Sequence, residues 1–188
     1  MTEIFAAALD LQRFCAERSW KFCFIGGVAV QRWGEPRFTK DADMTLLTGF
    51  SGEEVFVDAL LTEFAPRRPD ARELALLRRV LLLTHRDGVT LDVALGAFSF
   101  EEHSIERATW WQQAPDVRLL TCGPEDLIVH KTFANRELDW MDVERVIMRQ
   151  GRKLDVDLIW RELRPLVELK EEPEILTRLQ RVLDENLD

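Results

Sequence analysis

Two stretches decide how this chain folds: Phe24-Ile25-Gly26-Gly27-Val28-Ala29-Val30 and, a short loop later, Thr39-Lys40-Asp41-Ala42-Asp43-Met44-Thr45-Leu46-Leu47. The first reads as the end of a short aromatic strand, Lys21 to Ile25, that stops at Gly26-Gly27 and enters a helix from Val28 to Trp33, closed by Gly34. In the second, Asp41, Asp43 and Thr45 fall on one face of an extended chain, and Ala42, Met44 and Leu46 fall on the other. A strand, a glycine turn, a helix and a second strand with an acidic face form one unit. The rest of the chain is read outward from it.

Upstream, Glu3 to Arg18 reads as an amphipathic helix, with Thr2 as N-cap and Ile4, Phe5, Ala8, Leu11 and Cys15 at helical spacing. Downstream, Glu53 to Phe64 reads as a helix, and Ala71 to Leu77 as one or two helical turns. Val80 to Thr84 and Val89 to Leu95 are two strands joined by a hairpin turn at Arg86-Asp87-Gly88. After Phe100 the pattern is mostly helical, with a short strand at Val117 to Leu120. Pro124 suits the first position of a helix, Asp155 caps another with Leu154 and Ile159 as its hydrophobic staple, and Pro173 opens the last. Strands come early and helices late, with an antiparallel hairpin among them, which predicts an α+β fold.

The 188 residues suit one domain, or one domain with a small appendage, and 46% hydrophobic content is ordinary for a globular core. No run approaches the roughly 18 apolar residues of a membrane span. The start, Met1-Thr2-Glu3-Ile4, lacks a secretory pattern. Cys15, Cys23 and Cys122 show neither disulfide nor metal spacing, so packed thiols and a cytoplasmic location are expected. A formal net charge of −9 disfavours wholesale nucleic-acid binding. Two basic groups, Arg67, Arg68 and Arg72, and Arg145, Arg149, Arg152 and Lys153, read as solvated helix faces or as a local basic groove.

Three carboxylates carry the chemistry. Asp is a poor strand former, and two on one face repel, so Asp41 and Asp43 call for a cation between them. Asp92, between Leu91 and Val93, sits in the middle of an apolar strand and also calls for a partner. Three hard oxygen ligands from two strands suit one or two Mg²⁺ ions. The plainer alternative places Asp41 and Asp43 in a solvated loop and Asp92 on an exposed sheet face. Gly26-Gly27, 14 residues before Asp41, either makes a tight strand-to-helix turn or lets backbone amides approach a phosphate. Lys131 shares a helical stripe with Leu127, Ile128 and Ala134, and either snorkels to the surface or reaches an anion in a cleft. Asp139 reads as an N-cap, with Asp142 three residues on and Arg136 pairing with either. His85, His103 and His130 show no ligand spacing, and no serine or cysteine nucleophile motif emerges.

The series Phe24 to Val30, Arg37-Phe38-Thr39-Lys40-Asp41-Ala42-Asp43-Met44 and Leu91-Asp92-Val93 resembles the signature of the DNA polymerase β nucleotidyltransferase superfamily. Pro124-Glu125-Asp126-Leu127-Ile128-Val129-His130-Lys131, followed by Arg136, Asp139 and Asp142, is similar to a later helical motif of its abortive-infection (AbiEii-like) branch, which includes toxins of toxin–antitoxin systems. The resemblance covers roughly residues 20 to 150. It implies a minimal nucleotidyltransferase core over residues 1–120, a small mixed sheet with helices packed on one side, and a helical extension over 121–188. It implies Mg²⁺, in two ions, held by Asp41, Asp43 and Asp92. It also implies a nucleoside triphosphate against Gly26, Gly27, Arg37 and Thr39, with Lys131 contacting phosphate. The activity implied is transfer of a nucleoside monophosphate to an acceptor hydroxyl on RNA, protein or a small molecule, with an antitoxin protein as a partner and no membrane. A nucleotide-binding or regulatory module without turnover, and a metal-dependent phosphohydrolase, are the alternative readings.

Overall fold

The computed structural model describes residues 3–187. The Thr2 cap lies outside the described residues. The chain divides into two compact units, one of residues 1–28 and 38–122 and one of residues 29–37 and 123–188.

The first unit is built on a seven-stranded mixed sheet. Its strands are β1 (Phe22–Phe24), β2 (Asp41–Leu47), β3 (Ala65–Pro66), β4 (Val80–Thr84), β5 (Thr90–Gly96), β6 (Thr109–Ala114) and β7 (Val117–Thr121), in the spatial order β3-β4-β5-β2-β1-β7-β6. β2 runs parallel to β5 and antiparallel to β1, and β1 runs parallel to β7. The alternation read in Asp41 to Leu47 is the alternation observed. Ala42, Met44 and Leu46 are fully buried on one face, beside Leu91, Val93 and Leu95 of β5.

That face meets three helices, α1 (Glu3–Glu17), α3 (Glu53–Glu63) and α4 (Ala71–Arg78), in a single apolar core. Leu11 and Phe14 of α1, Leu60 of α3 and Ala75 of α4 join it. Each large side chain so buried is worth about 1.5–3 kcal/mol. The opposite face is covered only in part. Helix α5 (Ser99–Glu106) closes its far end, where a Cβ on Gly96 would lie 3.0 Å from Thr45 and 3.3 Å from Glu101. The near end of that face, carrying Asp41, Asp43 and Asp92, is half-buried rather than covered. All three cysteines are buried and reduced, and burial pushes the Cys15 thiol up to about 12.

The structure adds a strand to the reading after Phe100. Thr109–Ala114 is a strand, paired antiparallel with β7 through a turn at Pro115-Asp116. Its residues are exposed or half-buried, so no alternation marks it. The aromatic pair Trp110-Trp111 and the Pro-Asp turn are the local signals that favour a hairpin there.

The second unit is helical: the latter part of α2 (Gly26–Trp33), then α6 (Pro124–Ala134), α7 (Glu137–Gln150), α8 (Val156–Lys170) and α9 (Glu174–Leu187). Pro124 stands at the start of α6, and Asp155 caps α8 by accepting from the Leu158 N–H at 2.9 Å. Asp139 is not the cap of α7. Arg136 holds that position in extended backbone, and Asp139 lies in the first turn. The reason is a buried cation: Lys131 donates to Asp139 Oδ1 at 2.8 Å, and Arg136 Nε donates to Oδ2 at 2.5 Å. The basic residues Arg145 and Arg149 are also engaged, with Glu35 at 3.0 Å and with the Gly34 carbonyl. Among the described residues no helix is long and apolar enough to cross a membrane.

Candidate active site

The open end of the sheet face is where chemistry gathers in the first unit. Because β2 and β5 are parallel and in register, Asp43 lies opposite Asp92, and Asp41 opposite Thr90. Adjacent strands lie about 4.8 Å apart, so Asp43 and Asp92 are near neighbours on one surface. The first residues of α2 close in beside them. The Ile25 N–H donates to the Asp43 carbonyl at 2.9 Å, which draws the start of α2 against β2.

Gly26 has a φ of +53°, in the left-handed region. A Cβ there would sit 2.0 Å from Asp43 Oδ2 and 2.8 Å from its Cβ. A Cβ on Gly27 would meet Thr39 Oγ1 at 2.3 Å. Only glycine satisfies both demands at Gly26, the backbone angle and the contact. The Gly27 N–H donates to Asp43 Oδ2 at 3.3 Å, a long bond that places the helix start against this carboxylate. Gly26→Ala is therefore expected to destabilise the protein by about 2 kcal/mol, from left-handed backbone plus displacement of Asp43, as read by chemical denaturation. A change below about 0.5 kcal/mol would show that the close approach is not needed.

Each carboxylate has a partner of its own. Asp41 Oδ1 accepts from Thr90 Oγ1, and the Thr39 hydroxyl donates to the Asp41 carbonyl at 3.2 Å. Asp92 Oδ1 accepts from Arg67 Nη2. With the side chains so placed, no set of three carboxylate, imidazole or thiol groups converges as a ready metal site among the described residues. The donor set nevertheless suits a hard divalent cation: three carboxylates on one face of two parallel strands, one of them already neutralised by a cationic side chain, beside a glycine cradle that a Cβ would fill. A cleft of about 670 Å³ opens next to Asp41, lined by Phe38, Thr39, Lys40, Thr90 and the hairpin turn at Asp87-Gly88.

The first unit thus brings together Gly26, Gly27, Thr39, Asp41, Asp43 and Asp92. Arg37 and Lys131 belong to the second unit and share one carboxylate there. Arg37 grips Asp142 with two bonds, Nε to Oδ1 at 2.8 Å and Nη2 to Oδ2 at 2.7 Å, and Lys131 Nζ lies 2.9 Å from Asp142 Oδ2. Lys131 is 8% exposed in its side chain, so its ammonium meets aspartates rather than open solvent. Arg67 is the residue beside the site that the sequence does not single out, since it reads only as one of a basic group on a solvated helix face or in a local groove. Its neighbours Arg68 and Arg72 do pair at the surface, with Asp70 and Asp58, but Arg67 turns inward. Its only local mark is position, directly after the edge strand ending at Pro66.

No protein-family model and no curated protein matches the sequence. The fold does match solved structures. The antibiotic-resistance factor ANT(2'')-Ia superposes with a TM-score of 0.57 at 13% identity, over 90% of this chain and 96% of that one. An antigenic nucleotidyltransferase-like protein from Paracoccidioides brasiliensis superposes with a TM-score of 0.50 at 16% identity, over 95% of this chain and 92% of that one. At such identities the likeness is one of architecture, and the architecture is a nucleotidyltransferase-like α+β fold with C-terminal helices.

Proposed function

We propose that this chain is a Mg²⁺-dependent nucleotidyltransferase that moves a nucleoside monophosphate from a nucleoside triphosphate to an acceptor hydroxyl. One observation carries the reading: Asp41, Asp43 and Asp92 share a face of two parallel strands, with Gly26 packed so closely on Asp43 that no side chain fits. In the reaction the acceptor oxygen bonds to the α-phosphorus as the bond to the β-phosphate bridge breaks. Pyrophosphate leaves with the electron pair, and the acceptor's proton passes to a base. Asp92 is the candidate for that base, being the carboxylate farthest from the glycine turn in strand order. The Gly26-Gly27 amides, at a helix start, suit the triphosphate, and Thr39 borders the same turn. A divalent cation held by Asp41, Asp43 and Asp92 would offset charge on the attacking and leaving oxygens. For Arg37 and Lys131 the ion pairs with Asp142 support a holding role in the helical unit.

The likeness of Pro124 to Asp142 to the abortive-infection motif supports placing the chain in that branch, with RNA or protein as acceptor and an antitoxin as partner. The test is incubation with each labelled nucleoside triphosphate, Mg²⁺ and candidate acceptors. Labelled product that disappears with chelator, and in the Asp41→Ala/Asp43→Ala double variant, is expected. Transfer that survives the double variant would sink the proposal. Arg67 on Asp92 favours one second reading, a nucleotide-binding module without turnover. Calorimetric nucleotide binding with no transfer to any acceptor would select it.

A further inference from the structure

We infer that Arg67 is a built-in counter-ion for Asp92 that competes with the divalent cation for this carboxylate and so sets the metal affinity of the site. The inference rests on the nucleotidyltransferase reading above and adds a residue to it.

The geometry is specific. Arg67 follows β3, and its backbone N–H donates to the Leu82 carbonyl of β4 at 3.0 Å, which anchors the residue at the sheet edge. Leu82 is the register partner of Asp92. From that anchor the Arg67 side chain crosses β4 and reaches Asp92 on β5, where Nη2 takes Oδ1. The two side chains are 30% and 29% exposed, so the pair is partly shielded from water. Arg67 Nη2 also lies 3.5 Å from the Leu83 carbonyl. Arg67 Nε is buried with no hydrogen-bond partner among the described residues. The guanidinium is therefore held here chiefly by Asp92, with one donor left unsatisfied. An arginine anchored to make its ion pair while leaving a buried donor unmade is not optimised for stability alone.

Arg67 takes one of the two oxygens through which Asp92 would hold a cation. A cation held through Asp92 would have to displace the guanidinium or share the carboxylate with it, and either lowers its affinity. Asp41 Oδ1, by comparison, meets a threonine hydroxyl, which carries no full charge. A cation at Asp92 thus meets a competing positive charge. A positive side chain beside a cation site lowers affinity by general repulsion too, and the two effects separate in a double-mutant cycle.

The experiment uses the full chain and Mn²⁺ alone, with binding followed by electron paramagnetic resonance of free Mn²⁺. Arg67→Gln is expected to bind Mn²⁺ about five- to tenfold more tightly than the unmodified protein, the size of losing one partly shielded ion pair. In an Asp92→Asn background the same substitution is expected to change affinity less than twofold. Arg67→Met is the second variant should Arg67→Gln fold poorly, with circular dichroism as the check on both. Equal or weaker binding in Arg67→Gln overturns the inference while leaving the metal reading intact. A gain that persists undiminished in the Asp92→Asn background also overturns it, because repulsion alone would then account for the gain. Absence of Mn²⁺ binding in every variant overturns the metal site itself, and the inference with it.

Discussion

Asp142→Ala is expected to lower stability by about 3–5 kcal/mol, a loss large enough to unfold the helical unit at moderate temperature. Asp142 is fully buried and takes both nitrogens of the Arg37 fork, and its Oδ2 also faces the Lys131 ammonium. Removing it leaves a guanidinium without its bidentate partner and weakens the neutralisation of a buried ammonium. Lys131 keeps Asp139 at 2.8 Å, but Asp139 is already shared with Arg136. Much of the cost is the poorer neutralisation of the cations left behind, beyond the lost attraction itself. By contrast, Asp70→Ala, which breaks an exposed pair with Arg68, is expected to cost under about 1 kcal/mol. Urea denaturation of both variants gives the comparison, and a loss below about 1 kcal/mol for Asp142→Ala would show that the network is not holding the helices.

The same network sets an acid limit. Burial pushes the Asp142 carboxyl up, but hydrogen bonds from Arg37 and Lys131 outweigh it, so the group lies below the usual aspartate range. Asp139 behaves alike: burial raises it, and Arg136 and Lys131 bring it below that range. A carboxyl depressed in the folded state contributes stability that is present above its unfolded value. This contribution is therefore full above about pH 4 and is lost as pH falls through the depressed folded values. In Asp142→Ala the acid-dependent loss should be correspondingly smaller.

These effects show which parts of the molecule can be read from local sequence. The acidic strand is legible because strand geometry is local: a period of two puts Asp41 and Asp43 on one side and Ala42, Met44 and Leu46 on the other. Gly26-Gly27 is legible for a similar reason, since a strand that ends and becomes a helix at once needs glycine's freedom. Asp92 stands out because its neighbours in sequence are apolar. What is not legible is pairing across long separations. Arg67 sits 25 residues from Asp92, and Arg37 sits 105 from Asp142. Nothing in the residues around Arg67 separates it from Arg68, which points to solvent and an exposed aspartate. Lys131 shows the intermediate condition. Its helical stripe leaves open whether it snorkels to the surface or reaches an anion, and only the tertiary structure says that two aspartates meet it. Strand β6 escapes for another reason: it lies at a sheet edge, half in solvent, where no burial pattern is imposed on its sequence.

The largest functional effect is expected at Asp43. Asp43→Asn should lower the transfer rate about a thousandfold, equivalent to about 4 kcal/mol of transition-state stabilisation, with stability changed by less than about 1 kcal/mol. The substitution removes the charge and keeps the shape of the side chain. The asparagine oxygen can still accept from the Gly27 N–H, and the side chain keeps the size that the contact with Gly26 demands. Position singles out Asp43 from its neighbour. Asp43 packs against the glycine turn, through Gly26 and Gly27, and stands in register with Asp92 on the neighbouring strand. Asp41 is two residues nearer the open cleft and opposite Thr90, so Asp41→Asn should weaken metal binding with a smaller effect on the turn. Rates measured at saturating nucleotide and at several Mg²⁺ concentrations distinguish the roles. A loss at Asp43→Asn that excess Mg²⁺ fully restores would mean that the residue serves affinity only. A loss that persists at saturation means that its charge acts in the transition state, as the proposed function requires of a carboxylate set between the Gly26-Gly27 turn and Asp92.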